Sequence, residues 1–150
     1  MSTFSTLETP AGPFTAVVDA DGAVLASGWT ADVGTLLPLV HPTLRPATAR
    51  QVADLGAVDD VPVRQRSGPF LEQAWEVLRT VPAGAPVSYT EYATKAGRPA
   101  AIRAAASACA RNAAALFVPC HRVLRNDGSL GGFRWGLPVK RWLLDHEAPR

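Results

Sequence analysis

Short runs of strand-forming residues mark the first part of the chain, and a helical spacing of apolar positions takes over after residue 69. Thr15–Val18 and Val24–Trp29 have strand composition, and Phe4–Leu7 adds a third strand. Asp21-Gly22 lies between the first two runs as a hairpin signal, because glycine tolerates the positive φ of a tight turn. Pro42 to Pro46 breaks the pattern. Thr48 to Leu55 then reads as a short helix with Gly56 as its C-cap. Residues 56–69, with Asp59-Asp60 and Ser67-Gly68-Pro69, read as a linker. The organisation expected is an N-terminal α+β domain over 1–66 and a second domain over 67–150.

In the second domain Phe70–Thr80 places Leu71, Trp75 and Leu78 on one helical stripe, ended by Pro82 and Gly84. Ser88-Tyr89-Thr90-Glu91 has the form of a capping box: the serine caps the N3 amide and the glutamate reaches back. That helix runs to Lys95 and Gly97 closes it. Pro99 suits the first turn of the next helix, which extends to about Arg111. Two helices around a tight glycine turn read as a helix-turn-helix. The second is almost all alanine. Ile102, Ala105, Ala106 and Cys109 share its buried stripe, and Arg103 points off it. Such a helix either packs tightly in a bundle or lets its backbone approach a ligand surface closely; composition alone does not choose. Pro138 opens a last helix, with Val139, Trp142, Leu143 and His146 on its apolar face and Glu147 at the edge.

The chemistry concentrates at Pro119-Cys120-His121-Arg122-Val123. Leu116-Phe117-Val118 reads as a short buried strand delivering Cys120 to the wall of the core, and Pro119 bends the chain there. A thiolate, not a thiol, is the nucleophile, so a base must stand near it. His121 adjoins. Glu147, a carboxylate at the edge of a core-facing stripe, needs a partner, and His121 is the candidate. Gly131-Gly132-Phe133-Arg134-Trp135-Gly136 follows as a glycine-flanked aromatic loop whose backbone could come near a ligand.

Composition narrows the classes. The chain has 150 residues, 47% of them hydrophobic and 19% charged, enough for a packed core. No apolar run is long enough to span a membrane, and the N-terminus lacks a secretion signal, so a cytoplasmic protein is expected. Cys109 and Cys120 are the two cysteines, expected to be free thiols. The net charge of +2 divides unevenly. Residues 1–68 carry four basic and seven acidic side chains (−3), and residues 69–150 carry eleven and six (+5). A basic second half suits a polyanionic partner.

PCHRV, the GG-F-R-W-G loop, the K-R-W-L-L-x-H-E helix and the upstream V-S-Y and A-G-R-P-A-A-x-R segments together resemble the O6-alkylguanine-DNA alkyltransferases. The match runs over residues 69–150 and is weaker before them. The resemblance implies an α+β protein: a small ribonuclease-H-like antiparallel sheet domain, then a mainly helical, winged helix-turn-helix-like domain bearing the active cysteine. It implies irreversible, single-turnover transfer of an alkyl group from O6 of guanine (and O4 of thymine) in double-stranded DNA to Cys120. His121 would be the base, Glu147 its orienter and Tyr89 a proton donor. Arg103 would fill the space of the flipped nucleotide, with Tyr89, Ser88, Ala104 and Arg98 also facing DNA. Asn112, Val123, Phe133, Arg134, Trp135 and Cys109 would line or brace the pocket. No cofactor and no metal are expected, and a monomer is.

The chain departs from the family at Cys109, which replaces a hydrophobic residue, at Ala113-Ala114-Ala115, where relatives often carry prolines, and at Trp135, where some have glycine. Zinc near the N-terminus, known in some relatives, lacks ligands here, since His41 stands alone. Three competing readings are weaker. A lesion sensor without transfer leaves Cys120 unexplained, and a Cys-His hydrolase leaves Arg103 unexplained. A zinc site of Cys109, Cys120, His121 and His146 fits no common spacing.

Overall fold

The computed structural model describes residues 2–46, 49–51 and 61–148. They fall into two compact units. One holds the chain up to Arg66 together with Ala113–Phe117, and the other holds Ser67–Asn112 and the chain from Val118 onward.

The first unit is built on a sheet of β1 (Thr3–Thr9), β2 (Gly12–Val18) and β3 (Val24–Gly28). A helical turn α1 (Val33–Leu36) follows, then a short edge strand β4 (Arg50–Gln51). The order is β3-β2-β1-β4. The β1–β2 hairpin turns at Pro10-Ala11, where Thr9 Oγ1 donates to the Gly12 carbonyl at 2.6 Å. The β2–β3 turn is held by Asp19, whose Oδ1 accepts from the amides of Asp21 (2.9 Å) and Ala23 (3.0 Å). Gly22 takes the positive φ of 85° that the sequence signal requires there. Every residue of β3 is buried, which is why it reads as a continuous apolar run and not as an alternation.

Three expectations are corrected in this unit. The helix proposed over Thr48–Leu55 fails at Arg50–Gln51, which pair in parallel with Thr3 and Phe4 of β1. The sheet is therefore antiparallel except at this edge, and the rest of the expected helix and its cap (48 and 52–56) lies outside the described residues. The last part of the proposed linker is also structured. Val63 bridges Val24, with Val24 N donating to Pro62 O at 2.8 Å and Arg64 N to Val24 O at 2.9 Å. Finally, Leu116–Val118 is not a strand. Ala114 bridges Ser27 instead, and Ser27 Oγ donates to Ala115 O at 2.8 Å. Leu116 then turns with φ 76°, a strained value for leucine. Alanines, poor in strand propensity, form the edge pairing because Ser27 offers buried polar partners; local composition could not reveal that.

The second unit contains α2 (Pro69–Leu78), β5 (Val87–Ser88), α3 (Tyr89–Lys95) and α4 (Ile102–Ala110). After these come β6 (Val123–Leu124) and α5 (Leu137–Glu147). β5 and β6 pair in parallel, Val87 with Val123. Trp75 of α2 donates Nε1–H to the Ala108 carbonyl at 2.9 Å, and Tyr92 of α3 donates Oη–H to the Ala74 carbonyl at 2.7 Å. The small side chains of α4 admit these aromatics: Ala105 and Ala108 are fully buried. Pro99 is not in the helix as expected. Gly97 (φ 89°) and an Ala101 N–H to Arg98 O bond of 2.9 Å complete a turn first. Ile102 is also not on the buried stripe; it is 38% exposed at the start of α4. In α5 the buried residues are Lys140 and Leu143, whereas His146 is exposed and stacks on Trp142 at 4.1 Å. Among the described residues no helix is long and apolar enough to cross a membrane.

Candidate active site and nucleic-acid interface

Cys120 and His121 begin a 3-10 turn, Cys120–Arg122, entered through Pro119 at φ −80°, ψ 66°. Val123 closes it, its amide donating to the Cys120 carbonyl. His121 is wholly buried. Its Nε2 lies 2.9 and 3.1 Å from the two carboxylate oxygens of Glu147. Burial alone would raise the Glu147 pKa, but hydrogen bonds from His121 and Arg122 outweigh it and hold the carboxyl down at about 2. An ionised carboxylate only accepts, so Nε2 carries the hydrogen, and whenever the ring is neutral the lone pair is on Nδ1. Nδ1 is buried and has no hydrogen-bond partner among the described residues.

Burial pushes the Cys120 thiol above its ordinary pKa; the Asn112 amide and the charges of Lys140 and Arg134 pull the other way. Asn112 Nδ2 also donates to Val118 O at 2.8 Å, spanning the residues that belong to the first unit. Tyr89, at the start of α3, is driven up to about 12, chiefly by burial and then by Cys109 and Cys120, so it keeps its proton at neutral pH. A Cβ on Gly131 would lie 3.5 Å from the Tyr89 ring and hydroxyl, so the bare loop backbone lies against that phenol. Arg134 anchors the same loop by donating to Ala110 O at 2.6 Å. Phe133 and Trp135 are half-buried in it. Cys109 is half-buried, and burial raises its pKa strongly.

The helix-turn-helix places the remaining candidates. Ser88 accepts from Glu91 N at 3.0 Å, while the Glu91 carboxylate accepts from Ser88 N at 3.1 Å, the expected capping box. Arg103 is exposed on the first turn of α4 and Ala104 is half-buried beside it. Arg98 is exposed, with its guanidinium 4.9 Å over the Phe70 ring. Among the described residues no group of three or more metal-type ligands gathers.

Two residues escaped the sequence reading. Arg122 joins Nε and Nη2 to Glu147 and donates Nη1–H to Val81 O at 2.8 Å. Lys140 buries its ammonium against the carbonyls of Val123, Leu130 and Gly132. A signal for Lys140 was present: it shares the i, i+3, i+7 stripe with Leu143 and Glu147, so a helix that buries those buries it too.

The fold and this site define a class, a helix-turn-helix protein with a histidine-backed buried thiol, and comparison with known proteins gives it a family. Residues 69–149 match the family described as 6-O-methylguanine DNA methyltransferase, DNA binding domain. The chain belongs to that family. It is 50% identical over 88 residues to the bifunctional transcriptional activator/DNA repair enzyme Ada of Escherichia coli, covering 59% of this chain and 25% of that protein. It is 38% identical over 94 residues to a methylated-DNA--protein-cysteine methyltransferase of Shigella flexneri, covering 63% and 55%. The chain thus spans between a quarter and about half of these curated relatives. A crystal structure of the Mycobacterium tuberculosis O6-methylguanine methyltransferase R37L variant superposes with a TM-score of 0.78 at 31% identity, covering 100% of this chain and 96% of that one. A Mycobacterium tuberculosis OGT solved in complex with DNA gives 0.78 at 28% identity, covering 98% and 95%.

Proposed function

We propose that this protein repairs DNA by moving an alkyl group, foremost methyl, from O6 of guanine in duplex DNA onto Cys120, once per molecule. The observation that carries the reading is the His121–Glu147 pair at 2.9 Å beside a buried thiol. It fixes the ring so that a lone pair is left on Nδ1, able to take the thiol proton through a water. The thiolate sulfur then bonds to the alkyl carbon as the carbon–O6 bond breaks. The electron pair of that bond goes to the purine, and Tyr89 donates a proton to it. The Tyr89 proton is replaced by the one held at His121, so guanine and a neutral thioether remain. A thioether cannot be released by this site, so turnover ends there.

The target base must leave the duplex for this, at a cost of a few kcal/mol. Exposed Arg103 on an otherwise short-chained helix suits a side chain that occupies the vacated space. An alanine face suits a shallow groove where little sequence is read. The names of the relatives support the substrate class, and the DNA complex of the Mycobacterium tuberculosis OGT supports the partner. On this reading the protein acts as a monomer without cofactor, in the cytoplasm or on the nucleoid.

The test is intact-protein mass after mixing with a duplex carrying one O6-methylguanine, followed by peptide mapping. One added methyl on Cys120, with no turnover, is expected. Cys120→Ser should bind the duplex and gain nothing. Binding by the wild type without any mass change would move the function to lesion sensing, and a methyl on Cys109 would reassign the acceptor.

A further inference from the structure

Lys140 is the one wholly buried lysine of the two in the chain, and no step above uses it. Its ammonium has three hydrogens and meets three carbonyls: Val123 at 2.9 Å, Gly132 at 3.4 Å and Leu130 by a short contact. These acceptors belong to two segments. Val123 closes the turn that opens at Cys120. Leu130 and Gly132 flank Gly131, whose backbone lies against Tyr89. Taking an ammonium out of water is costly unless it is fully bonded, and a methionine of similar length would avoid that cost. The charge therefore calls for a reason beyond packing.

We propose that Lys140 is a positioning residue for the transfer: its ammonium pins the Cys120 turn to the glycine loop, and its positive charge offsets the negative sulfur that forms when Cys120 loses its proton. This rests on Cys120 being the acceptor. The groups facing the pair are Cys109 of α4, Tyr89 and Tyr92 of α3, Arg125 and Arg134 from the flanking loops, and His121 next to Cys120. Burial, the largest influence, and Arg125 lower the Lys140 pKa while the two cysteines counter them, and the lysine in turn lowers the Cys120 pKa against the thiol's own burial. Attraction between buried opposite charges runs in that direction.

The test reads Cys120 alkylation by iodoacetamide against pH, with peptide mapping to separate Cys109, and the single-turnover methyl transfer rate on an O6-methylguanine duplex. In Lys140→Met and Lys140→Gln the midpoint of Cys120 reactivity should rise by about one pH unit, with transfer at neutral pH slowed roughly tenfold. Duplex affinity should stay within a factor of about two. Lys140→Arg, which keeps the charge, should hold the midpoint near wild type. A purely structural lysine would lower stability and rate in all three without moving the midpoint, and that result overturns the proposal.

Should the variants fail to fold, the wild type decides alone. With two lysines, the labelled Lys140 ε-carbon signal is readily assigned, and it should follow Cys120 ionisation and lose that step once Cys120 is methylated. A signal blind to Cys120 rejects the proposal. A wild type that transfers nothing rejects the repair reading instead, so the two failures are distinct.

Discussion

Arg122 holds Glu147 with its guanidinium edge: Nε lies 3.1 and 3.2 Å from the two carboxylate oxygens and Nη2 lies 2.6 Å from one of them. The same carboxylate accepts from His121, so neighbouring residues of one turn share a single anion at the end of α5. Arg122 also reaches the Val81 carbonyl at 2.8 Å. Replacing it with methionine removes charged hydrogen bonds of about 2 kcal/mol together and leaves the carboxylate free to swing from the imidazole. Arg122→Met should melt several degrees lower and transfer methyl more slowly at unchanged duplex affinity. Lysine should recover little, since a point charge cannot reproduce the planar fork. Recovery by Arg122→Lys of both melting temperature and rate would contradict this account.

The carboxylate also sets an acid limit. Glu147 is held at about 2 in the folded protein, below the ordinary value near 4.3. A group whose pKa is depressed by folding contributes its stability in full above the unfolded value and loses it as pH falls towards the folded one. The contribution should therefore be constant at neutral pH and decline from about pH 4.3 downward. Denaturant titrations of wild type and Glu147→Gln should converge over that interval and run parallel above it. A gap between the two curves that persists unchanged to the lowest pH would remove this linkage.

Tyr89 keeps its proton far above neutrality, with its pKa raised to about 12, so it can act as a donor to a departing purine but not as a base. Tyr89→Phe keeps the ring against Gly131 and removes the hydrogen. Single-turnover transfer should fall by about a hundredfold, the lower range for a positioned general acid. Melting temperature should move little. An unchanged rate would take Tyr89 out of the proton path.

How far the sequence spoke depended on whether a residue's role was local. The capping box at Ser88 and Glu91 was legible because both partners lie within one turn. Glu147 was legible as needing a partner, and His121 as supplying it, because a carboxylate at the edge of a buried stripe cannot stand alone. Arg122 was not, since its second contact, Val81, lies 41 residues away. The course of Ala113–Phe117 was hidden for the same reason. Ser27, 88 residues from Ala115, decides that pairing, and an apolar run beside a proline gave the wrong element. Ile102 failed differently: periodicity put it on the buried stripe, but the turn at Gly97–Ala101 starts the helix late and leaves it in solvent.

That exposed start of α4 is where the DNA reading is most open to refutation. Arg103 is exposed and extends from a helix whose other early side chains are Ile102 and alanines. If it stands in for an extruded nucleotide, its removal should leave the chemistry intact and raise only the cost of extrusion. Arg103→Ala should therefore melt within about 0.5 kcal/mol of wild type, as exposed substitutions do. It should react with a free O6-alkylguanine base at the wild-type rate, because a free base needs no flipping. On a duplex bearing O6-methylguanine it should slow by tenfold or more, from a few kcal/mol of unstacking that is no longer offset. Placing the lesion in a single strand should restore most of the loss. A simple phosphate contact would behave otherwise, weakening damaged and undamaged duplexes alike and flattening the salt dependence. Measuring transfer on free base, single strand and duplex in one variant thus separates an extrusion role from general affinity. Equal losses on damaged and undamaged duplex would assign Arg103 to the backbone.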